Sequence, residues 1–409
     1  MPDKNIISQK VVTLKDIESA SETLKSLIKK TELDYSISCS KLIGTEVFLK
    51  FENTQLTGSF KIRGASNKIF HLTSEEKKRG VVASSAGNHA QGVALAASRL
   101  NVNSKIVMPI KAPLVKVTAT KNYGAEVVLH GNYYDEAFEK AKEIEKAEGR
   151  VFVHPYDDFY VIAGQGTIGL EIVRDLPDVD TVVVPIGGGG LISGIATAVK
   201  ALRPNCKIIG VQAEGAQSMT QSFKNKKITK ISETVSTIAD GIAVKGVSPY
   251  VFDNYIMKLV DDIVTVTEDE IAESIVFLME RAKSVVEGSG AVALAAAKKY
   301  KEKMGKKVCI LLCGGNIDMN IIAKVIERGL MKNGRLTHIK VAVNDVPGVL
   351  SKLTSVFADH RCNIIEVIHD RSTAELHLGE TSIEFILETS GWAQIDEIKK
   401  ALSQYGRVI

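Results

Sequence analysis

No long apolar run occurs in the 409-residue chain: Ala291–Ala297 is among the longest, far short of the roughly 20 residues of a membrane-spanning helix. No membrane partner is therefore expected. No basic block stands out either, and 52 basic residues against 48 acidic ones leave a net charge of only +4, a poor basis for holding nucleic acid. The five cysteines, Cys39, Cys206, Cys309, Cys313 and Cys362, are scattered, odd in number and without a Cys-x-x-Cys pair. That pattern argues against a disulfide scaffold or a zinc site and for reduced thiols. Met1–Asn5 lacks the apolar core of a secretory signal, so a cytoplasmic location is expected. No internal repeat or low-complexity tract is evident.

What is present is an ordinary globular composition, 45% hydrophobic and 24% charged, in a chain too long for one core. Two or three domains are expected. Thr13-Leu14-Lys15-Asp16 has the spacing of a capping box, and Ile17, Ala20, Leu24, Leu27 and Ile28 follow on one helical face. Glu46–Glu52 alternates as a strand and leads to Lys61, which opens a helix through Asn67 and Phe70. Further strands are expected at Gly80–Ser84, Lys105–Met108, Glu126–Leu129, Asp180–Pro185, Lys207–Val211 and Val308–Leu312, with helices at Asn88–Arg99, Leu191–Leu202 and Glu268–Arg281. This alternation, continuing to about residue 330, reads as α/β with mostly parallel strands. The turn-rich Lys332-Asn333-Gly334-Arg335 suits a linker at 331–337. Beyond it the pattern resets to strand His338–Val343, helix Val349–His360, strands Asn363–His369 and Thr381–Leu387, helix Ile395–Ser403 and strand Arg407–Ile409. That βαββαβ order is a ferredoxin-like plan.

Three segments carry chemistry. Ser59-Phe60-Lys61-Ile62-Arg63-Gly64 sets a lysine among apolar neighbours, where its amine can lose its charge and condense with an aldehyde. Ser85-Ala86-Gly87-Asn88-His89 is a small polar loop at a helix mouth, which by itself fits a structural cap as well as a ligand site. Gly187-Gly188-Gly189-Gly190-Leu191 lies between a strand and a helix, where free N–H groups and the helix dipole favour phosphate. Without Gly-x-Gly-x-x-Gly spacing or a following Lys-Ser/Thr, a dinucleotide or nucleoside triphosphate is a poor reading of it.

In this order the segments closely resemble the threonine ammonia-lyases (threonine dehydratases) over roughly residues 5–330. The resemblance implies a two-subdomain fold type II (tryptophan synthase β-like) catalytic domain over 1–330, with a smaller subdomain at about 56–150, and pyridoxal phosphate (PLP) as cofactor. It implies that Lys61 carries PLP and is the catalytic base, with Phe60 against the ring and Asn88 on its hydroxyl. Gly187, Gly188, Gly189, Gly190 and Leu191 would hold the phosphate, and Cys313, after the strand Val308–Leu312, would meet the pyridine nitrogen. Ser85, Ala86, Gly87, Asn88 and His89 would bind the substrate. The turn Glu287-Gly288-Ser289-Gly290 also resembles a family segment and is given a structural role. Glu214 matches a cation-liganding position in relatives, but Thr220 stands where serine racemases carry a second acid, so no metal is expected. Those racemases also have a serine where this chain has Ala86, which favours a lyase.

Asn344-Asp345-x-Pro347-Gly348-Val349-Leu350 resembles the ACT family of regulatory domains, here at 338–409. Those six positions would bind an amino-acid effector, with isoleucine expected, and a homodimer or homotetramer would follow from domain pairing. The implied reaction turns L-threonine into 2-oxobutanoate and ammonia by loss of water, and L-serine into pyruvate. The rival readings are a serine racemase or serine dehydratase, a β-replacement enzyme of the same fold, and a catalytically weak amino-acid sensor.

Overall fold

The computed structural model describes residues 10–229, 235–371 and 376–409, so the Met1–Asn5 segment lies outside the described residues. The chain forms two compact units, Met1–Ile317 and Asp318–Ile409. At the start of the first, Thr13 and Asp16 form the expected capping box, and the helix Leu14–Leu24 buries Ile17, Ala20 and Leu24.

Strands of the first unit are β1 (Leu33–Tyr35), β2 (Glu46–Lys50), β3 (Val81–Ser84), β4 (Ser104–Met108), β5 (Glu126–Leu129), β6 (Val151–Phe152), β7 (Thr181–Pro185), β8 (Lys207–Ala213), β9 (Asp262–Val266) and β10 (Lys307–Leu311). They make a six-stranded sheet in the order β1-β2-β10-β7-β8-β9 and a four-stranded sheet in the order β5-β4-β3-β6. Every pairing is parallel except β1 with β2. β7 and β3 are buried throughout, as expected of parallel strands covered on both faces. Ligands of open parallel sheets collect beyond the carboxyl ends of the strands. Here β3 runs into Ser85–Asn88, β7 into the four glycines and β10 into Cys313. β10 pairs with both β2 and β7, so the chain leaving each of these strands starts from one edge of the sheet.

The helices Phe159–Asp175 and Gly190–Leu202 are both largely buried. Glycine lets their backbones meet: a Cβ at Gly194 would fall 2.3 Å from the Ile162 carbonyl oxygen.

The second unit opens with the helix Met319–Lys332 and continues as β11 (Leu336–Asn344), helix Val349–Asp359, β12 (Asn363–Asp370), β13 (Glu380–Glu388), helix Trp392–Leu402 and β14 (Arg407–Val408). The antiparallel order β12-β13-β11-β14 is ferredoxin-like, with Phe357 and Phe385 in edge contact at 4.6 Å in its core. The stretch expected as a linker at 331–337 is mostly regular structure. Met331 and Lys332 end a helix, Leu336 starts β11, and only Asn333–Arg335 connects them. The division into units falls after Ile317, ahead of that helix.

Candidate active site

Lys61 is the first residue of the helix Lys61–Phe70. The backbone before it is tied to the turn after β10: the Phe60 N–H donates to the Cys313 carbonyl at 3.2 Å, and Ser59 bridges to Gly314. The Lys61 Nζ donates to the Pro155 carbonyl at 3.1 Å and lies 5.1 Å from the centre of the Phe60 ring. No carboxylate pairs with it among the described residues, and desolvation pulls its pKa down to about 8 against the opposing pull of Cys313 and Glu287. An amine with that pKa, on a residue that keeps some exposure, is a competent nucleophile and base.

Two residues on, Arg63 is fully buried yet fully paired, with Glu52 at 2.7 Å and Glu171 at 2.7 Å. Lys50 joins the same cluster through Glu171 at 2.6 Å. This network clamps the Lys61 helix to the chain after β2 and to the helix Phe159–Asp175.

Asn88 starts the helix Asn88–Arg99 and is partly accessible. Its Nδ2 donates to Glu287 at 2.7 Å, and its Oδ1 accepts from Asn316 Nδ2 at 2.8 Å. In the loop before it, Ser85 Oγ accepts from the Gly87 N–H at 3.1 Å. The His89 ring turns inward instead, with Nε2 2.8 Å from the Val153 carbonyl. Burial and the nearby Lys61 push its pKa down to about 3, so the ring is neutral and its part is structural. What this loop offers a carboxylate is the first-turn N–H groups of the helix.

The glycine run packs against Tyr156, the residue after Lys61's acceptor Pro155. A Cβ at Gly188 would sit 2.3 Å from the Tyr156 ring, and Gly189 has φ +92°. Among the described residues, the N–H groups of Gly188, Gly189, Gly190 and Leu191 find no protein acceptor. Cys313 donates its thiol to the Ser289 carbonyl at 3.3 Å, and burial pushes its pKa well up, so it stays a neutral thiol. Cys309 is also buried and uncharged, its pKa raised to about 12, but its electrostatic neighbours are Lys50 and Cys206 rather than Glu287 and Lys61.

Sequence reasoning missed Pro155–Tyr156 and Asn316, and it gave Glu287 no partner. Glu287 is 3% exposed and accepts from both Asn88 and Ser289. Burial, with Asp240 adding to it, raises its pKa to about 7. Glu214 lies apart from this group, its carboxylate 3.6 Å from Lys299 Nζ. The six positions expected to bind an effector run from the end of β11 into the first turn of the helix Val349–Asp359, with Asp345 paired to Arg371 at 2.8 Å and Gly348 at φ +89°.

These residues fit PLP. An amine that sheds its proton near pH 8 suits its aldehyde, unsatisfied N–H groups at a helix start suit its phosphate, and a neutral thiol suits its ring nitrogen. Residues 24–314 match the family described as pyridoxal-phosphate dependent enzyme, and residues 337–407 match the ACT domain family. An L-threonine ammonia-lyase of Thermotoga maritima is 51% identical over 396 residues, covering 97% of this chain and 98% of that protein. The solved structure of the processed form of threonine deaminase isoform 2 from Solanum lycopersicum shares 41% identity at a TM-score of 0.75, over 78% of this chain and 87% of the other. That of maize serine racemase shares 35% identity at a TM-score of 0.74, over 79% and 99%. The chain belongs to the pyridoxal-phosphate dependent enzymes, in their threonine ammonia-lyase family, and ends in an ACT domain.

Proposed function

We propose that this chain converts L-threonine to 2-oxobutanoate and ammonia, and L-serine to pyruvate. The observation that carries the reading is the Lys61 amine, desolvated and unpaired, with a pKa near 8. Lys61, Phe60, Asn88, the Gly187–Leu191 backbone and Cys313 would hold PLP, which would supply the electron sink that makes the substrate's Cα proton acidic. Lys61 Nζ takes that proton. Loss of the β-hydroxyl as water leaves an enamine, and hydrolysis of its imine form releases ammonia. The helix start at Ser85–His89 holds the substrate carboxylate through backbone N–H groups, and the Cys313 thiol, remaining neutral, leaves the ring nitrogen without a formal counter-charge.

Likeness to a serine racemase favours a second reading at the same site. Racemisation needs a proton carrier on the other face of the substrate, and where the resemblance sets that carrier this chain has Ala86, with only a methyl group. Elimination is therefore the faster outcome. The ACT domain supports regulation by an amino acid, with isoleucine bound near Asn344, Asp345, Pro347, Gly348, Val349 and Leu350, and with a dimer or tetramer as the working form.

The test is 2-oxobutanoate formation from L-threonine by PLP-loaded protein, with and without isoleucine, and D-serine formation from L-serine. Fast, isoleucine-suppressed turnover with negligible D-serine is expected. Absence of 2-oxobutanoate, or D-serine outpacing pyruvate, contradicts the reading.

A further inference from the structure

Asn88 sits in the middle of a chain of hydrogen bonds whose direction is fixed by chemistry alone. The Thr57 carbonyl can only accept, so the group of Asn316 facing it at 2.7 Å is its amide nitrogen. The same Nδ2 donates its second hydrogen to Asn88 at 2.8 Å, which forces the Asn88 oxygen to that side. The Asn88 nitrogen must then face Glu287, an acceptor, at 2.7 Å. One N–H of Asn88 is left over, on a side chain that stays partly accessible.

Glu287 has no other evident task. It lies at the N-terminus of the helix Gly288–Lys299, is almost wholly buried, and makes no ion pair among the described residues. The backbone is shaped to hold it: a Cβ at Gly314 would fall 2.3 Å from Glu287 Oε1, and Ser289 Oγ donates to that oxygen. An unpaired buried carboxyl costs stability, and a site that keeps one has a use for it. We infer that Glu287 is a positioning residue, which fixes the Asn88 amide so that its remaining N–H is reserved for the ring oxygen of PLP. This rests on the reading of Asn88 as a cofactor ligand. The charged and titratable groups that act on Glu287 are Asp240 and Lys116, and Glu287 in turn acts on Lys61 and Cys313.

The test compares PLP affinity and the visible absorption maximum of the bound cofactor in wild type, E287A, E287Q, N88A and the double variant N88A/E287A. Expected is a loss of about tenfold in PLP affinity and a shifted absorption maximum in E287A. E287Q keeps an acceptor opposite Asn88 and is expected to restore both nearly to wild type. The double variant is expected to lose no more than N88A alone, because both changes remove one interaction. An E287A protein with wild-type affinity and spectrum, no rescue by E287Q, or fully additive losses overturns the inference. An N88A protein indistinguishable from wild type overturns the reading of Asn88 as a cofactor ligand, and this inference with it.

Discussion

Lys61 and Arg63 are two cations two residues apart on one helix, and the protein treats them in opposite ways. Arg63 is fully buried between Glu52 and Glu171, and its pKa is raised. Lys61 is desolvated beside a carbonyl and a ring, with no carboxylate partner among the described residues, and its pKa falls to about 8. Pairing locks a charge in place, whereas burial without pairing makes it removable near neutral pH. The first kind of site holds the helix still, and the second kind does chemistry at its end. Glu287 repeats the second pattern with the opposite charge, its pKa raised to about 7.

The comparison breaks most visibly at Lys61. K61A is expected to lower threonine turnover by at least about 10³-fold and to abolish the absorbance of covalently held cofactor, with thermal stability unchanged or improved. A substantial residual rate would move the base elsewhere. R63M should do the reverse kind of damage. It leaves the buried Glu52 without its cation and Glu171 with Lys50 alone, and is expected to cost about 3–5 kcal/mol in a urea titration. A variant as stable as wild type would mean the cluster is not a clamp.

A smaller effect is expected in the second unit. Gly348 has φ +89° with open space where a Cβ would go, so G348A costs about 1–2 kcal/mol of backbone strain without a clash. Its response to isoleucine, read as the ratio of inhibited to uninhibited rate, should weaken several-fold. An unchanged ratio removes this loop from the effector site.

Much of this was legible in the sequence because it is written in short, local patterns. The capping box at Thr13, the apolar strands β3 and β7 and the βαββαβ order from β11 onward are each set by a few neighbouring residues. What stayed hidden lacks such a pattern. β1 is three residues long and exists by pairing with β2. The helix Phe159–Asp175 contains Gly164, Gly166 and Gly169, poor helix formers that are there for close packing against the Lys61 and Gly190–Leu202 helices. Pro155 contributes a backbone carbonyl, which no side-chain motif announces. Glu287 stood inside a recognised turn and Asn316 three residues past Cys313, but their joint grip on Asn88 spans more than 190 residues and appears only once the chain is folded.

The most direct measurement is the pH dependence of the rate at which PLP added to cofactor-free protein becomes covalently attached to Lys61. With a pKa near 8, roughly one amine in ten is neutral at pH 7, some 300-fold more than for an ordinary lysine. The neutral form is the nucleophile, so the attachment rate should rise about tenfold per pH unit and level off above pH 8. A rate that climbs without levelling to pH 10 would show an ordinary lysine and contradict the contrast with Arg63.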